Sequence, residues 1–398
     1  MHLFNIETSK LVEVARLFAS RVGEGLREEG REVPCLLTYV PTLSTVPDGA
    51  ALVVDLGGTR VRAAMVHCTN GVLEVHGEIA EALLPLERGV PLARERYMQT
   101  QVEVVRRLAP PSGLPLGYCF SYPSASLPDG DATLIGWTKG VNIPDVEGHA
   151  VGLMLQQALA LAGITTGGAV VLNDTVAALL AGLSGPAADY YAGLIVGTGN
   201  NIALRLTPET IPRFPSIPWS GPIAVNLESG NFNPGCLNRF DDGVDQASEN
   251  PGRQRFEKAV SGVYLGRLLK EAGPELVFNP DSGSQGVAAL ACSLDPEVAG
   301  IELAQAILNR SSDLVAASVA GAALVLSGGN AGTVRLIAEG GLYWGAPGYH
   351  QRVCCTLNSL LAELGMEDVT VDIQSRSSAN LLGAGVAALS RTRRIGSR

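Results

Sequence analysis

The 398-residue chain is poor in aromatic residues, at 5%, and modest in charge, at 17%, so its bulk rests on aliphatic side chains. With 46% hydrophobic content and this length, it can bury sizeable cores in more than one domain. It has no CxxC and no HxxxH, and its seven cysteines are scattered apart from Cys354 and Cys355. A structural zinc site is therefore unsupported, and the unpatterned, odd cysteine count points to a reducing compartment, the cytoplasm. No run is long enough to cross a bilayer. The most apolar stretch, Leu314 to Leu326, has 13 residues against the roughly 20 required, and it reads as a buried helix. Met1 to Lys10 carries polar and acidic residues early and lacks a signal h-region. Acidic residues outnumber basic ones 39 to 29, a net charge of −10 that repels nucleic acid. Arg391, Arg393, Arg394 and Arg398 read as a solvated tail.

The familiar nucleotide signatures are missing too. There is no GxxxxGK[ST] and neither the HRD nor the DFG motif of protein kinases. A GxGxxA match at Gly383, Gly385 and Ala388 is followed by only ten residues, too few for a βαβ unit, so it reads as helix packing.

What is present centres on residues 171–180, VLNDTVAALL. Residues 169–172 are wholly apolar, so Asn173 and Asp174 stand where a buried strand ends and a helix begins. A carboxylate there can serve as a general base, although Asn and Asp are also ordinary helix caps. Two glycine turns flank it. One is Gly57, Gly58 and Thr59 after Asp55, within LVVDLGGTRVRAAMV; the other is Gly197, Thr198 and Gly199, within AGLIVGTGNNIALRL. Glycine lets backbone N–H groups approach an anion, and threonine adds a hydroxyl donor. The two turns read as a weak internal repeat, two related half-domains facing across a cleft and gripping one polyphosphate.

In this order the motifs resemble the hexokinases of the actin-like sugar kinase superfamily. The resemblance runs through DLGGT at 55–59, FSYP at 120–123, WTKG at 137–140, NDTVA at 173–177 and IVGTGNN at 195–201. It continues through VNLESGNF at 225–232, ENPGRQRFEK at 249–258, GLYWGAPGY at 341–349 and GAGVAAL at 383–389. It implies an α/β, actin-like (ribonuclease H-like) two-lobed fold with a central cleft. It also implies transfer of the γ-phosphoryl group of Mg-ATP to O6 of glucose or a similar hexose. On that likeness Ser121, Thr138, Lys139, Asn173, Asp174, Asn201, Glu228 and Glu257 match hexose-contacting positions, with Asp174 as base and Lys139 assisting. Asp55, Gly57, Gly58, Thr59, Arg60, Thr198 and Gly199 fall to the phosphates and metal, and Gly341 and Gly383 to the adenosine side. Mg2+ would be met through water by Asp55 or Asp174, without a direct protein cage. The absence of a Cys-rich zinc motif separates the chain from related bacterial sugar kinases and repressors.

The chain departs from the family pattern at several points. Arg60 and Val61 stand where Asn and Phe are usual, Ser229 replaces Trp, Asn231 replaces Ala, and Asn200 and Ile202 are atypical beside Asn201. On the donor side Gly341 replaces a usual Ser, and Ala379, Asn380, Leu381 and Leu382 replace a Gly-Ser-Gly-Lys pattern. These changes leave open two alternatives, a catalytically weak sugar-binding sensor and a hexokinase with another phosphoryl donor.

Without a linker to divide the chain, the expected lobes exchange segments: 49–175 with 384–398 in the small lobe, and 1–48 with 176–383 in the large one. A helix carrying Glu257 is expected to bury Phe256, Val260, Tyr264 and Leu268 along one continuous face. The prolines at 208, 212, 215, 218 and 222 and the stretch 274–286 read as irregular.

Overall fold

The computed structural model describes residues 4–43, 45–87, 89–138, 141–214, 221–295 and 297–395. Lys139 and Gly140, and Pro215 and Pro218 of the proline cluster, lie outside the described residues.

The chain opens with α1 (Thr8–Arg27) and β1 (Leu36–Pro41). A first unit follows: β2 (Gly49–Leu56), β3 (Arg60–Thr69), β4 (Val72–Leu83), α2 (Arg94–Arg107) and β5 (Leu116–Phe120), then the short ribbon β6 (Ser124–Ser126) and β7 (Ala132–Leu134), α3 (Val151–Leu161), β8 (Ala169–Leu172) and α4 (Asp174–Ala181). A second unit starts with β9 (Tyr190–Val196), β10 (Asn200–Leu206) and β11 (Ile223–Asn226). A helical insertion comes next: α5 (Arg239–Gln246), α6 (Arg255–Val260), α7 (Gly262–Ala272), α8 (Gly283–Ala291) and the long α9 (Ile301–Ser327). The unit ends with β12 (Gly332–Glu339), α10 (Gly341–Gly345), α11 (Tyr349–Glu363), β13 (Val369–Gln374) and α12 (Ala379–Ile395).

The two sheets run β4-β3-β2-β5-β8 and β1-β11-β10-β9-β12-β13. Once the edge strand β1 is set aside they repeat one another. In each, the first strand pairs antiparallel with the second and the second with the third, while the first, fourth and fifth lie parallel. The repeat hinted at by two Gly-Thr turns is thus a repeat of whole sheets, each turn joining the first two strands of its unit. This doubled sheet is the ribonuclease H-like arrangement the resemblance implies.

A shared layer joins the units. Val176 to Ala181 of α4 and Leu381, Ala384 and Val386 of α12 bury against Val53 and Val66 on one side and Ala203, Ala224 and Ile337 on the other. The backbones approach closely there: a Cβ on Gly383 would overlap the Ala177 carbonyl oxygen. Beyond this layer, α2 and α3 cover the outer face of the five-stranded sheet. Helices α1, α9 and α11 cover the six-stranded one.

Three expectations need correction. The helix carrying Glu257 is not continuous: it breaks at Ser261, extended at φ −90° and ψ 157°, into α6 and α7. The break lets the Gly262 N–H donate to the Gly197 carbonyl at 2.7 Å. The irregular stretch 274–286 ends early, because a 3-10 turn at Pro280–Ser282 leads into α8. The C-terminal helix starts at Ala379 rather than near 384, so Leu381 and Leu382 are core residues of a helix and not a donor-side loop. The apolar run at 314–326 lies within buried α9, and among the described residues no helix is long and apolar enough to cross a membrane.

Candidate active site

Parallel strands end at a common edge, and ligands of open α/β sheets gather at those carboxyl ends. Here β2, β5 and β8 bring Asp55, Ser121 and the Asn173-Asp174 corner together, with Asp55 in register with Cys119, and Cys119 with Leu172. The Cys119 thiol is fully buried and pushed well above its ordinary pKa, first by burial and then by the charges of Asp55 and Asp174 on either side. Asn173 caps α4, its side chain accepting from Thr175 N at 2.9 Å. Asp174 Oδ1 accepts from the same N–H at 2.8 Å and from Thr175 Oγ1 at 3.3 Å. The cap and the carboxylate are therefore adjacent residues: Asn173 ends the helix and Asp174 is held at its rim.

The first glycine turn is closed by Gly57 N to Arg60 O at 3.0 Å. The Tyr122 hydroxyl donates to Gly58 O at 2.8 Å and Gly57 O at 3.2 Å, which engages the turn's carbonyls. Tyr122 packs edge-on against Trp137, whose Nε1 donates to Ile143 O at 2.8 Å. One aromatic pair thereby ties the first glycine turn to the loop that presents Thr138, which is exposed. The call on Lys139 falls outside the described residues.

The six-stranded sheet supplies the facing wall. Asn201 Nδ2 donates to Asn226 Oδ1 at 2.6 Å, and Asn226 Nδ2 to Glu228 Oε1 at 2.8 Å. Asn201 Oδ1 also receives Ser229 N at 3.1 Å. Glu228 adopts a left-handed backbone conformation, φ 55°, uncommon for a residue with a side chain and found where a site fixes it. Its carboxyl is raised above the usual range by burial, against the lowering effect of Asn226, and Asp174's charge adds to the rise. Glu228 and Asn173, the neighbour of Asp174, line one pocket. Glu257 Oε2 accepts from Asn200 N at 3.0 Å. Thr38, Ser124 and Ser126 bring hydroxyls to the wall of that pocket.

The second turn is closed by Gly197 N to Gly199 O at 2.9 Å. Gly340, at φ +125°, lies so close that a Cβ would overlap the Val196 carbonyl, whereas a Cβ on Gly341 would meet nothing within 4 Å. Gly341 thus opens a space beside the turn.

Some assigned residues lie elsewhere. Gly383 is buried inside α12 against Ala177 and serves packing, so its placement on the adenosine side is corrected. Arg60 is exposed and paired with Glu81 at 3.1 Å, while Arg62 holds Asp55. Arg62, Tyr122, Asn226 and Glu339 were not singled out from the sequence. Tyr122 and Asn226 sit inside quoted motifs, and Arg62 lies opposite Asp55 once the hairpin is drawn. Glu339, at the end of β12, is raised by burial, with Arg62 lowering it and Asp55 raising it, so it belongs to the same charged group. Glu339 belongs to the six-stranded sheet and Asp55 and Arg62 to the five-stranded one, so no local pattern links them.

Two family models, both described as hexokinase, match the chain, one over residues 1–183 and the other over 191–280 and 288–390. Hexokinase-7 of Oryza sativa subsp. japonica is 28% identical, covering 96% of this chain and 93% of the relative. Hexokinase-3 of Homo sapiens is 33% identical over 67% of this chain and 30% of its own length. Among solved structures, a hexokinase from Schistosoma mansoni complexed with glucose superposes with a TM-score of 0.77 at 22% identity, covering 98% of this chain and 97% of that one. A ROK family glucokinase from Streptomyces griseus in complex with glucose and AMPPNP gives 0.53 at 16% identity, covering 85% and 99%. At these identities the two structures speak for the fold.

Proposed function

The chain belongs to the hexokinase family, kinases that transfer phosphate to a sugar hydroxyl, and from that premise we propose that it phosphorylates glucose or a similar hexose at O6 with Mg-ATP. The observation that carries this reading is the pairing across one cleft of a carboxylate at a helix rim, Asp174, with a wall of carboxamides and carboxylates beside a glycine turn. Sugar hydroxyls both donate and accept, and Asn173, Asn201, Glu228 and Glu257 offer both kinds of partner. Thr138, Ser121 and Lys139 complete the proposed sugar set.

In this reading Asp174 holds the hydroxyl and takes its proton as the bond to phosphorus forms. Its Oδ1 is engaged by Thr175, leaving Oδ2 to accept that proton. Phosphoryl transfer of this kind is mostly positioning and electrostatic stabilisation. The backbone N–H groups of Gly58 and Thr59 and of Thr198 and Gly199 would hold phosphate oxygens, and the open space at Gly341 fits the nucleoside end. Bound Mg-ATP supplies the phosphoryl group and the metal charge that offsets its oxygens. Among the described residues no group of three His, Cys, Asp or Glu is arranged to hold a metal, so Asp55 and Asp174 would reach Mg2+ through water. Closure of the lobes, 49–175 with 384–398 against 1–48 with 176–383, would exclude water from the phosphoryl group. All seven cysteines are free, in keeping with a reducing cytoplasm.

The test is direct measurement of sugar phosphate formed from Mg-ATP with glucose, fructose, mannose and N-acetylglucosamine. Turnover with glucose supports the reading. Glucose binding without turnover from ATP or from any other donor overturns it and leaves a sugar sensor.

A further inference from the structure

We propose that Glu257 couples the two halves of this site: one carboxylate both receives the sugar and tethers the Gly197–Gly199 turn that holds phosphate. The inference rests on the function proposed above and adds a second role to a residue assigned there only to the sugar. The segment 257–262 grips the turn at both ends. Glu257 Oε2 accepts from Asn200 N at 3.0 Å, and Gly262 N donates to Gly197 O at 2.7 Å. The approach is close: a Cβ on Gly199 would stand 2.6 Å from Glu257 Oε2, and one on Gly262 2.7 Å from Gly197 O. A shift of the carboxylate that keeps its bond to Asn200 N would carry the turn with it.

The grip is anchored from behind. Lys258, next in the chain and 4% exposed, donates to Asp245 Oδ1 at 2.6 Å and to the Asn250 carbonyl at 2.8 Å. Burial pulls the Asp245 carboxyl up, but Lys258, the Gly252 N–H and Arg255 outweigh it and hold it below its usual range. A buried pair that is hydrogen-bonded on both sides fixes α6 in place, and with it the start of the Glu257 side chain. The Glu257 carboxylate has about four lone-pair sites, so it can keep the Asn200 N–H while accepting from a sugar hydroxyl. Asn200 is followed by Asn201 of the proposed sugar wall, so sugar and phosphate contacts share one hairpin.

The predicted consequence is a reciprocal gain in affinity between sugar and nucleotide, which linkage requires to be equal in both directions. The experiment is calorimetric binding of a non-hydrolysable Mg-ATP analogue, with and without saturating glucose, to wild type, Glu257→Gln, Glu257→Ala and Gly199→Ala. Wild type should show a gain of about fivefold or more. In Glu257→Gln the amide oxygen still accepts from Asn200 N, so sugar-free nucleotide affinity should stay within about twofold. In Glu257→Ala it should fall about fivefold or more, the effect of losing one hydrogen bond to a charged group. Gly199→Ala, outside the proposed sugar set, should weaken glucose binding about threefold or more. Wild-type nucleotide affinity in Glu257→Ala without sugar, or unchanged glucose affinity in Gly199→Ala, overturns the coupling while leaving phosphotransfer intact. A wild-type protein that binds neither ligand overturns the phosphotransfer reading, and the coupling with it.

Discussion

Arg62 Nη2 lies 2.5 Å from Asp55 Oδ2 and its Nε 3.1 Å from the same oxygen, the two residues being direct cross-strand partners in β2 and β3. Asn380 Nδ2 donates to the other oxygen at 3.3 Å, and Asp55 is 4% exposed. The carboxylate is thus engaged by a guanidinium and a carboxamide in a buried setting. Replacing Arg62 by Met leaves a buried charge with one neutral partner. Urea unfolding should show a loss of about 1–3 kcal/mol, the scale of a hydrogen bond to a charged group. A variant as stable as wild type would mean that solvent takes over the pairing.

Asp174→Asn keeps the shape of the helix rim and removes the proposed base. The expected drop in kcat is about 10²–10⁴-fold, with glucose affinity changed far less. Single-turnover measurement of sugar phosphate, beside a glucose titration, checks both halves.

Glu228 gives a pH signature of stability. Its carboxyl is raised in the folded protein, first by burial, so the folded state prefers the neutral form. The stabilising contribution of this group is complete below its ordinary value of 4.5 and is lost as pH rises through the higher folded value. Glu228→Gln is neutral throughout. It should therefore raise Tm at pH 7 and lose that advantage near pH 4, which scanning calorimetry at the two pH values reads. A gain that persists at pH 4 would point to packing rather than charge.

Two glycines that the resemblance put on the donor side should respond in opposite ways. A side chain at Gly383 would overlap the Ala177 carbonyl, so Gly383→Ala should lose about 1–3 kcal/mol through overpacking of α12 on α4. Gly341 has open space, so Gly341→Ser should leave stability within about 0.5 kcal/mol and tighten nucleotide binding. Thermal unfolding and nucleotide titration of the pair separate the packing glycine from the site glycine.

Much of this was legible in the chain itself, and the reason is local. A strand that ends in Asn-Asp before an apolar helix declares a cap and a carboxylate at a rim, and Asn173 and Asp174 stand there. A glycine-rich bend between two alternating runs declares a hairpin, and both turns are hairpins. The GxGxxA spacing too close to the C-terminus declares packing, which Gly383 performs. Such features depend on residues within one or two turns of each other, where backbone preference and periodicity act. The tertiary structure alone decided the rest, because it depends on contacts between distant segments. Arg62 meets Asp55 within one hairpin, but Glu339 of the other sheet feels both charges only in the folded chain. The helix expected across 256–268 breaks at Ser261 because Gly262 is needed by Gly197, a residue 65 positions away. Glu228 is moved from its usual ionisation by burial that no sequence window records, and the charge of Asp174 that adds to the shift comes from the other sheet. Periodicity fixes what a segment wants to bury; which neighbour it meets, and what charge that neighbour carries, is set by long-range packing.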